Sequence, residues 1–283
     1  MKVETLGVIG AGQMGSGIAQ VAAVAGINVK MVDAYKAGLE TGVKRIEGGL
    51  ARLVKKEKIT AEDEKAIRGR IQTSTRLEDI EGSDFVVEAI VEDEDTKQTV
   101  FKKVDEILAP HAIISSNTSS ISITRLSSFT SRPDRFIGMH FMNPVPVMKL
   151  VEVIRGIATN DETYKATVEL AERLQKTCVV SKDYPGFIIN RILMPMINEA
   201  VFAYHEGVGS AGDIDSAMKL GTNQPMGPLA LADFIGLDTC LSIMEVLHDN
   251  LGDSKYRPCP LLRNYVAAGW LGKKTGRGFY TYE

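Results

Sequence analysis

The sequence predicts an α/β fold, in which a doubly wound sheet over residues 1–184 is followed by an all-α domain over residues 185–283. A short apolar run near the beginning meets a glycine-rich turn and then a helical pattern, the order of strand, loop and helix in such sheets. Strand-like and helical runs alternate as far as residue 182, and beyond residue 183 only helical periodicity continues. The change in pattern places the domain boundary near Pro185.

The glycine-rich turn joins an apolar strand at residues 5–9 to a helix. In a Gly-x-Gly-x-x-Gly turn the first glycine allows the tight turn, the second leaves room for a pyrophosphate, and the third lets helix and strand pack closely. N–H groups at the start of the helix then face the phosphates. A bare motif is also typical of an ordinary tight loop, but its place between strand and helix predicts a Rossmann-type dinucleotide site. Its residues are Gly10, Ala11, Gly12, Gln13, Met14 and Gly15.

The next strand, at residues 28–32, ends in Asp33, 18 residues beyond Gly15. An acidic residue at this place in a Rossmann unit accepts hydrogen bonds from the adenosine ribose. A carboxylate also repels the additional 2′-phosphate of NADP. The sequence therefore predicts NAD as the cofactor.

Composition excludes several classes of protein. The formal net charge of −3 gives no global reason to expect a nucleic-acid partner, and 44% hydrophobic with 24% charged residues is typical of a globular protein. The three cysteines are odd in number and lack metal-ligand spacing, so we expect neither a disulfide nor a metal site. The sequence has no apolar run of roughly 18 residues and no recognisable signal peptide, so we expect a cytoplasmic protein without a membrane partner.

A long helical run at residues 37–56 ends in a cluster of basic side chains. The cluster consists of Arg52, Lys55, Lys56 and Lys58. It is either a solvated helix face or a contact for a phosphate-bearing substrate. Thr60 and Asp63 then fit the start of another helix.

A central strand at residues 85–89 is followed by an acidic run at residues 92–95. The run opens a helix in which Val100, Val104 and Ile107 are predicted to face inward. Acidic side chains in a first turn suit the helix dipole, which explains the run without a ligand.

The next strand, at residues 112–115, ends in the polar loop Ser116-Asn117-Thr118-Ser119-Ser120. Ligands of doubly wound sheets bind outside the carboxyl ends of the strands, so position alone makes this loop a candidate site. The alternative is a helix cap, since Ser120 or Ser122 suits that role before residues 123–126.

Strands are predicted at residues 136–141 and 150–154. The turn between them must be irregular, because its prolines cannot donate hydrogen bonds to a neighbouring strand. His140 and Glu152 lie almost symmetrically about this turn. A hairpin would therefore bring the two side chains next to each other.

The remaining elements are mainly helices. Thr159 and Glu162 fit a capping box for a helix that ends near residue 176, and residues 178–180 form the last strand. Beyond Pro185 one helix carries a broad apolar face, made of Ile189, Leu193, Met196, Ile197, Ala200 and Tyr204. Further helices are predicted at residues 213–220, 228–234, 238–251 and 261–268. A helical domain this rich in Leu, Ile and Met has surplus apolar surface, so we expect a homodimer or a larger homo-oligomer.

Histidine is the side chain whose ordinary pKa suits proton exchange with an alcohol near neutral pH. His111 follows a proline in a connecting loop, and His205 and His248 lie on predicted helices of the second domain. His140 stands at a strand end of the first domain, with Glu152 expected beside it. A carboxylate in that place fixes the tautomer of a catalytic base and stabilises its charged form. A purely structural His–Glu pair is the alternative.

Two polar residues are candidates to contact a substrate oxygen. Ser119 is one, because of its loop position, and Asn190 is the other, because it is polar and starts an apolar helix. The alternatives are a capping serine and a helix-end asparagine without a catalytic role.

Stretches from both domains, in the same order, resemble the L-3-hydroxyacyl-CoA dehydrogenase family, most closely its short bacterial members, the (S)-3-hydroxybutyryl-CoA dehydrogenases. They are Gly10 to Gly15, Val87 to Ala89, Ser116 to Ser120, Gly138 to Glu152, Asp183 to Arg191, Pro225 to Pro228 and Gly272 to Tyr280. The stretch from Gly138 to Glu152 is the most specific of them.

The resemblance implies that His140 is the general acid/base, that Glu152 is its partner, and that Ser119 and Asn190 hold the reacting oxygen. It also implies contacts from residues that match the family's binding residues. These are Asp33, Glu92, Lys97, Asn117, Ser119 and Asn143 for the cofactor, and Lys56 for the nucleotide end of coenzyme A. Gly49 departs from the pattern, because some relatives carry a serine there that contacts the substrate.

The implied reaction is the reversible, NAD(H)-dependent reduction of acetoacetyl-CoA to (S)-3-hydroxybutyryl-CoA in butyrate-type fatty acid metabolism. Two other interpretations stay open. One keeps the fold and changes the substrate to a 3-hydroxyacid or sugar acid without coenzyme A. The other is a non-catalytic NAD(H)-binding redox sensor.

Overall fold

The computed structural model describes residues 2–282 and divides the chain into two units, Met1–Tyr184 and Pro185–Glu283. Strands in the described part of the first unit are Thr5–Ile9 (β1), Asn28–Val32 (β2), Ile71–Ser74 (β3), Phe85–Glu88 (β4), Ile113–Ser116 (β5), Phe136–Phe141 (β6), Leu150–Arg155 (β7) and Thr177–Lys182 (β8). Its α-helices are Gln13–Val24 (α1), Lys36–Lys55 (α2), Ala61–Gly69 (α3), Glu94–Ile107 (α4), Ile123–Ser127 (α5) and Asp161–Arg173 (α6).

The strands form one sheet in the order β3-β2-β1-β4-β5-β6-β7-β8. Neighbouring strands are parallel, except β6 and β7, which are antiparallel. The strand order reverses between β1 and β4. Doubly wound sheets bind ligands at such a point, in the crevice outside the carboxyl ends of the strands. The predicted α/β fold with a Rossmann-type, doubly wound sheet is confirmed.

The core of the first unit lies against the central strands, and β4 and β5 are buried over their whole length. Strands of a parallel sheet that helices cover on both faces are nearly continuous apolar runs. Glu88, at the end of β4, and Ser116, at the end of β5, depart from this pattern, and the Ser116 hydroxyl donates to Glu88 Oε2 at 2.6 Å. The buried polar pair lies at the carboxyl ends of β4 and β5, the edge of the sheet where a ligand is expected.

Helix α4 buries a face that the apolar pattern does not predict. Its fully buried residues are Lys97, Phe101 and Val104, whereas Val100 and Ile107 are only half-buried. The prediction was wrong for those two because a charged side chain, Lys97, occupies the core face. A search for apolar periodicity passes over such a position.

Helix α6 begins one residue later than the predicted capping box. The Asn160 side chain caps it by accepting from Thr163 N at 2.8 Å. The Thr159 hydroxyl, predicted to be the cap, donates instead to the carbonyl of Phe136 in β6 at 2.7 Å. Asparagine caps helices as well as threonine does, so the contact with the sheet decides which residue takes the role.

The described part of the second unit is helical, as predicted. Its α-helices are Ile189–His205 (α7), Ala211–Thr222 (α8), Pro228–Ile235 (α9), Leu237–Leu251 (α10) and Pro260–Ala267 (α11). Helix α7 buries Met194 and Val201 together with the predicted Ile197 and Ala200. Leu193, Met196 and Tyr204 of the predicted face also pack, half-buried, against the core of this unit. The predicted face is therefore confirmed, and Met194 and Val201 make it broader than predicted. None of the helices between residues 2 and 282 combines the length and hydrophobicity that crossing a bilayer requires.

Candidate active site

The glycine-rich turn between β1 and α1 has the shape that its sequence predicts. Gly10 has φ +100°, and a Cβ there would lie 2.5 Å from the carbonyl oxygen of Ala89. A Cβ on Gly15 would lie 1.8 Å from the carbonyl oxygen of Gly10. The first and third glycines therefore admit no side chain. A Cβ on Gly12 would meet no described atom within 4 Å, so open space lies over the second glycine.

The beginning of α1 fits the phosphates of a dinucleotide. Gly12 is the N-cap and supplies no side-chain hydrogen bond, and no acidic residue lies in the first turn. The first N–H groups of a helix lack intrahelical partners and attract anions. The open space over Gly12 and this uncapped helix start therefore match a pyrophosphate.

Asp33 follows β2 and lies beside the glycine-rich turn. Its Oδ2 accepts from Ala11 N at 2.8 Å, and its Oδ1 accepts from Tyr35 N at 2.9 Å. The carboxylate is therefore fixed at the edge of the predicted cofactor site, where a ribose is expected.

Two asparagines predicted to contact the cofactor hold loops at the carboxyl edge of the sheet. Asn143, after β6, accepts from Gln13 Nε2 at 2.7 Å and so joins its turn to the glycine-rich turn. Asn117, after β5, accepts from Phe141 N at 2.9 Å. These hydrogen bonds join the turn after β6 to the glycine-rich turn, and the loop after β5 to the end of β6.

Glu92 organises the polar loop after β5. Its Oε1 accepts from Thr118 Oγ1 at 2.6 Å, from Ser119 N at 2.8 Å and from Ser120 N at 3.1 Å. Burial acts to raise the pKa of Glu92, but the charge of Lys97 and these hydrogen bonds bring the pKa below its usual value. Asp93 caps α4, so Glu92 lies before the first residue of the helix. The main partners of Glu92 are therefore Lys97 and the polar loop, and not the helix dipole.

Lys97 lies beneath this loop, in a buried ion pair. Its side chain is 1% exposed, and its Nζ lies 2.5 Å from Oε1 of the fully buried Glu88 and 3.4 Å from Oε2 of Glu92. Glu88 also accepts from Ile90 N at 2.7 Å. Sequence reasoning missed Glu88, although an acid at the end of an apolar central strand is a usable signal for a buried partner.

His140 and Glu152 face each other across β6 and β7, as the hairpin prediction requires. They are paired in the antiparallel register, and His140 Nδ1 lies 2.8 Å from Glu152 Oε2. His140 is 7% exposed and Glu152 is fully buried. A carboxylate held at this distance selects the tautomer with hydrogen on Nδ1 and orients the ring.

The two candidate contacts to a substrate oxygen belong to different units. Ser119 lies in the loop held by Glu92, and its hydroxyl is 3.3 Å from Glu92 Oε1. Asn190 lies in the first turn of α7 in the second unit and is 7% exposed. Among the predicted site residues of the first unit, His140 lies next to Glu152, and Ser119 lies next to Glu92.

A cavity of about 1210 Å³ in the first unit lies among α1, α2, the turn after β6 and the end of α6. Its cationic side chains are Lys44, Arg45, Arg52, Lys56, Lys58, Lys149, Arg173 and Lys176, and no acidic residue among the described ones lines it. Lys55, from the predicted basic cluster, does not line it. Of the other cations, Lys44 and Arg45 lie earlier on α2, whereas Lys149, Arg173 and Lys176 come from distant parts of the chain. The predicted cluster therefore contains fewer than half of the cationic side chains that line the cavity.

Comparisons with known proteins agree over the whole chain. The family model described as "3-hydroxyacyl-CoA dehydrogenase, NAD binding domain" matches residues 5–184, and "3-hydroxyacyl-CoA dehydrogenase, C-terminal domain" matches residues 186–282. A probable 3-hydroxybutyryl-CoA dehydrogenase of Bacillus subtilis is 59% identical, over 100% of this chain and 99% of its own length. The 3-hydroxybutyryl-CoA dehydrogenase of Bradyrhizobium diazoefficiens is 57% identical, over 99% and 96%.

A solved structure is similar over its full length. The crystal structure of (S)-3-hydroxybutyryl-CoA dehydrogenase from Ralstonia eutropha matches with a TM-score of 0.97 and 53% identity, over 100% of both chains. Both units of this chain thus have counterparts in one solved protein.

Proposed function

The chain belongs to the 3-hydroxyacyl-CoA dehydrogenase family of NAD-dependent oxidoreductases, and on that premise we propose that it interconverts acetoacetyl-CoA and (S)-3-hydroxybutyryl-CoA. The observation that carries the proposal is the buried His140–Glu152 pair at the carboxyl edge of the sheet. Relatives at 57–59% identity that are named for this reaction support the short acyl chain. Butyrate-type fatty acid metabolism is the proposed context.

We assign the proton transfer to Nε2 of His140, because Nδ1 faces Glu152 at 2.8 Å. During ketone reduction the imidazolium gives its Nε2 proton to the oxygen on C3, and during alcohol oxidation the neutral ring takes the proton back. Glu152 stabilises the charged ring, which donates the proton during reduction and forms when the proton is taken up during oxidation. Ser119 and Asn190 are the proposed hydrogen-bond donors to the same oxygen.

The first unit is the proposed NAD-binding domain, and the second is the proposed substrate-binding and dimerisation domain. When bound, NAD exchanges the hydride with C3 of the substrate. The proposed cofactor contacts are Gly10, Ala11, Gly12, Gln13, Met14, Gly15, Asp33, Glu92, Lys97, Asn117, Ser119 and Asn143. Exposed apolar side chains on the second unit, such as Leu220 and Phe234, support a homodimer or a larger homo-oligomer.

Asp33→Asn is expected to reduce the preference for NADH over NADPH by about tenfold, or about 1.4 kcal/mol. The amide keeps one acceptor oxygen for a backbone N–H but loses the charge that repels a 2′-phosphate. KM values for both cofactors, measured at saturating acetoacetyl-CoA, test this prediction. An unchanged ratio would remove Asp33 from the ribose site.

Lys56→Met is expected to raise KM for acetoacetyl-CoA by roughly 3–10-fold with little change in kcat, because it removes one cation from a cavity that would hold phosphates. Lys55→Met is the matched control. Lys55 is the neighbouring lysine, and it does not line the cavity. Equal effects of the two variants would show that only the general charge of the helix matters.

The proposed reaction is tested by following NADH absorbance with acetoacetyl-CoA and, separately, with free acetoacetate. We expect rapid oxidation of NADH with the thioester and at least ~10²-fold lower kcat/KM with the free acid, since the latter lacks the part that fills the basic cavity. Comparable rates would favour a 3-hydroxyacid dehydrogenase without coenzyme A. Binding of NADH without turnover of either compound would favour a redox sensor.

A further inference from the structure

Gln20 on α1 is a buried polar side chain that no function above uses. It is 5% exposed and lines the basic cavity. Its amide makes no hydrogen bond to any of the residues 2–282 that the structure describes. Neither its Oε1 nor its Nε2 is among the fully enclosed, unpaired polar atoms of the described residues, so the amide opens onto the cavity and can pair with a molecule that occupies it.

The position of this amide depends on a glycine in the facing helix. A Cβ on Gly49 in α2 would lie 2.2 Å from Gln20 Oε1, 2.8 Å from its Cδ and 2.9 Å from its Nε2. All three atoms of the amide group thus lie against the bare backbone of Gly49. Any other residue at position 49 would force the amide to move.

The cavity that Gln20 lines has both apolar and cationic surface, as a long ligand with an apolar arm and phosphates needs. Val21 and Leu53 supply apolar surface, and Lys56 and Arg52 supply positive charge. An acyl-CoA has phosphates at its nucleotide end and secondary amides along the pantetheine arm that carries the thioester. A primary amide both donates and accepts, so it pairs with both groups of a secondary amide.

We propose that Gln20 hydrogen-bonds to an amide of the pantetheine arm and that Gly49 makes room for it. The inference rests on the proposed function, since it takes an acyl-CoA as the occupant of the cavity. In this arrangement the basic side chains bind the phosphates, and Gln20 hydrogen-bonds to the pantetheine arm. Gln20 is then a specificity residue for the thioester carrier, and not for the acyl chain or the cofactor.

The test measures calorimetric binding of two probes, coenzyme A and adenosine 3′,5′-bisphosphate, which has no pantetheine arm. Gln20→Met keeps the length of the side chain and removes the amide. We expect it to weaken coenzyme A binding by roughly 5–10-fold, while the affinities for the bisphosphate and for NADH change less than about twofold. Lys56→Met is the contrasting variant and is expected to weaken both phosphate-bearing probes.

Gly49→Ala provides a second route to the same result, because it retains Gln20 and displaces its amide. Alanine is favoured over glycine within a helix, so this variant is not expected to lose stability through α2 itself. It should also weaken coenzyme A and spare the bisphosphate. Thermal unfolding curves identify any variant that fails to fold.

Unchanged coenzyme A affinity in folded Gln20→Met, or an equal loss for both probes, would overturn the proposal. Because binding is measured without turnover, the result does not depend on the reaction. A wild-type chain that binds coenzyme A but does not reduce acetoacetyl-CoA would contradict the proposed function and leave the assignment of Gln20 standing. A wild-type chain that does not bind coenzyme A would contradict both.

Discussion

Replacing His140 by glutamine is expected to lower kcat for acetoacetyl-CoA reduction by about 10²–10⁴-fold, because it removes the group that gives the proton. Glutamine still fills the buried space and can hydrogen-bond to Glu152, but it does not exchange a proton near neutral pH. The Kd for NADH is expected to stay within about twofold of the wild-type value. Steady-state kinetics and a fluorescence titration with NADH provide the two measurements.

His111→Gln is the matched control for this prediction. His111 is exposed and lies in the loop before β5, so its substitution should leave both kcat and NADH affinity unchanged. If His140→Gln lost NADH affinity and kcat to the same degree, His140 would be a cofactor contact and the proton transfer would belong to another residue.

Lys97→Met is expected to destabilise the protein by about 3–5 kcal/mol, because it leaves the buried Glu88 carboxylate without a compensating charge. Breaking one partner of a buried ion pair is more costly than replacing both. The double variant with Glu88→Gln should therefore recover part of the loss. Denaturant unfolding followed by circular dichroism measures both variants.

Lys102→Met is the control for helix α4, since Lys102 is exposed on the same helix. It should change the free energy of unfolding by less than about 0.5 kcal/mol. A loss below about 1 kcal/mol for Lys97→Met would contradict the view that Lys97 compensates the buried Glu88.

The parts of the fold that the sequence predicts well are those fixed by local chemistry. Gly10 and Gly15 admit no side chain, so their spacing already describes the turn. The pairing of His140 with Glu152 follows from alternation along two strands that meet at a turn containing prolines. Such features need only the sequence near them.

The parts that the sequence does not predict depend on contacts between distant residues. Lys97 in α4 looks like a solvated lysine until the buried Glu88 of β4 lies beside it. Gln20 looks like a polar residue on an exposed face of α1 until Gly49 of α2 packs against its amide. In both cases the partner is more than eight residues away, and the pattern around Lys97 or Gln20 does not identify it; only Glu88, an acid at the end of an apolar strand, carries a signal of its own.

The central claim, that His140 exchanges the proton with the oxygen on C3, is tested most directly by a crystal structure with NAD⁺ and acetoacetyl-CoA bound. We predict that Nε2 of His140 lies within roughly 2.6–3.2 Å of that oxygen, with Nδ1 still at Glu152. An imidazole out of reach of the oxygen, or a ring turned away from Glu152, would contradict the mechanism.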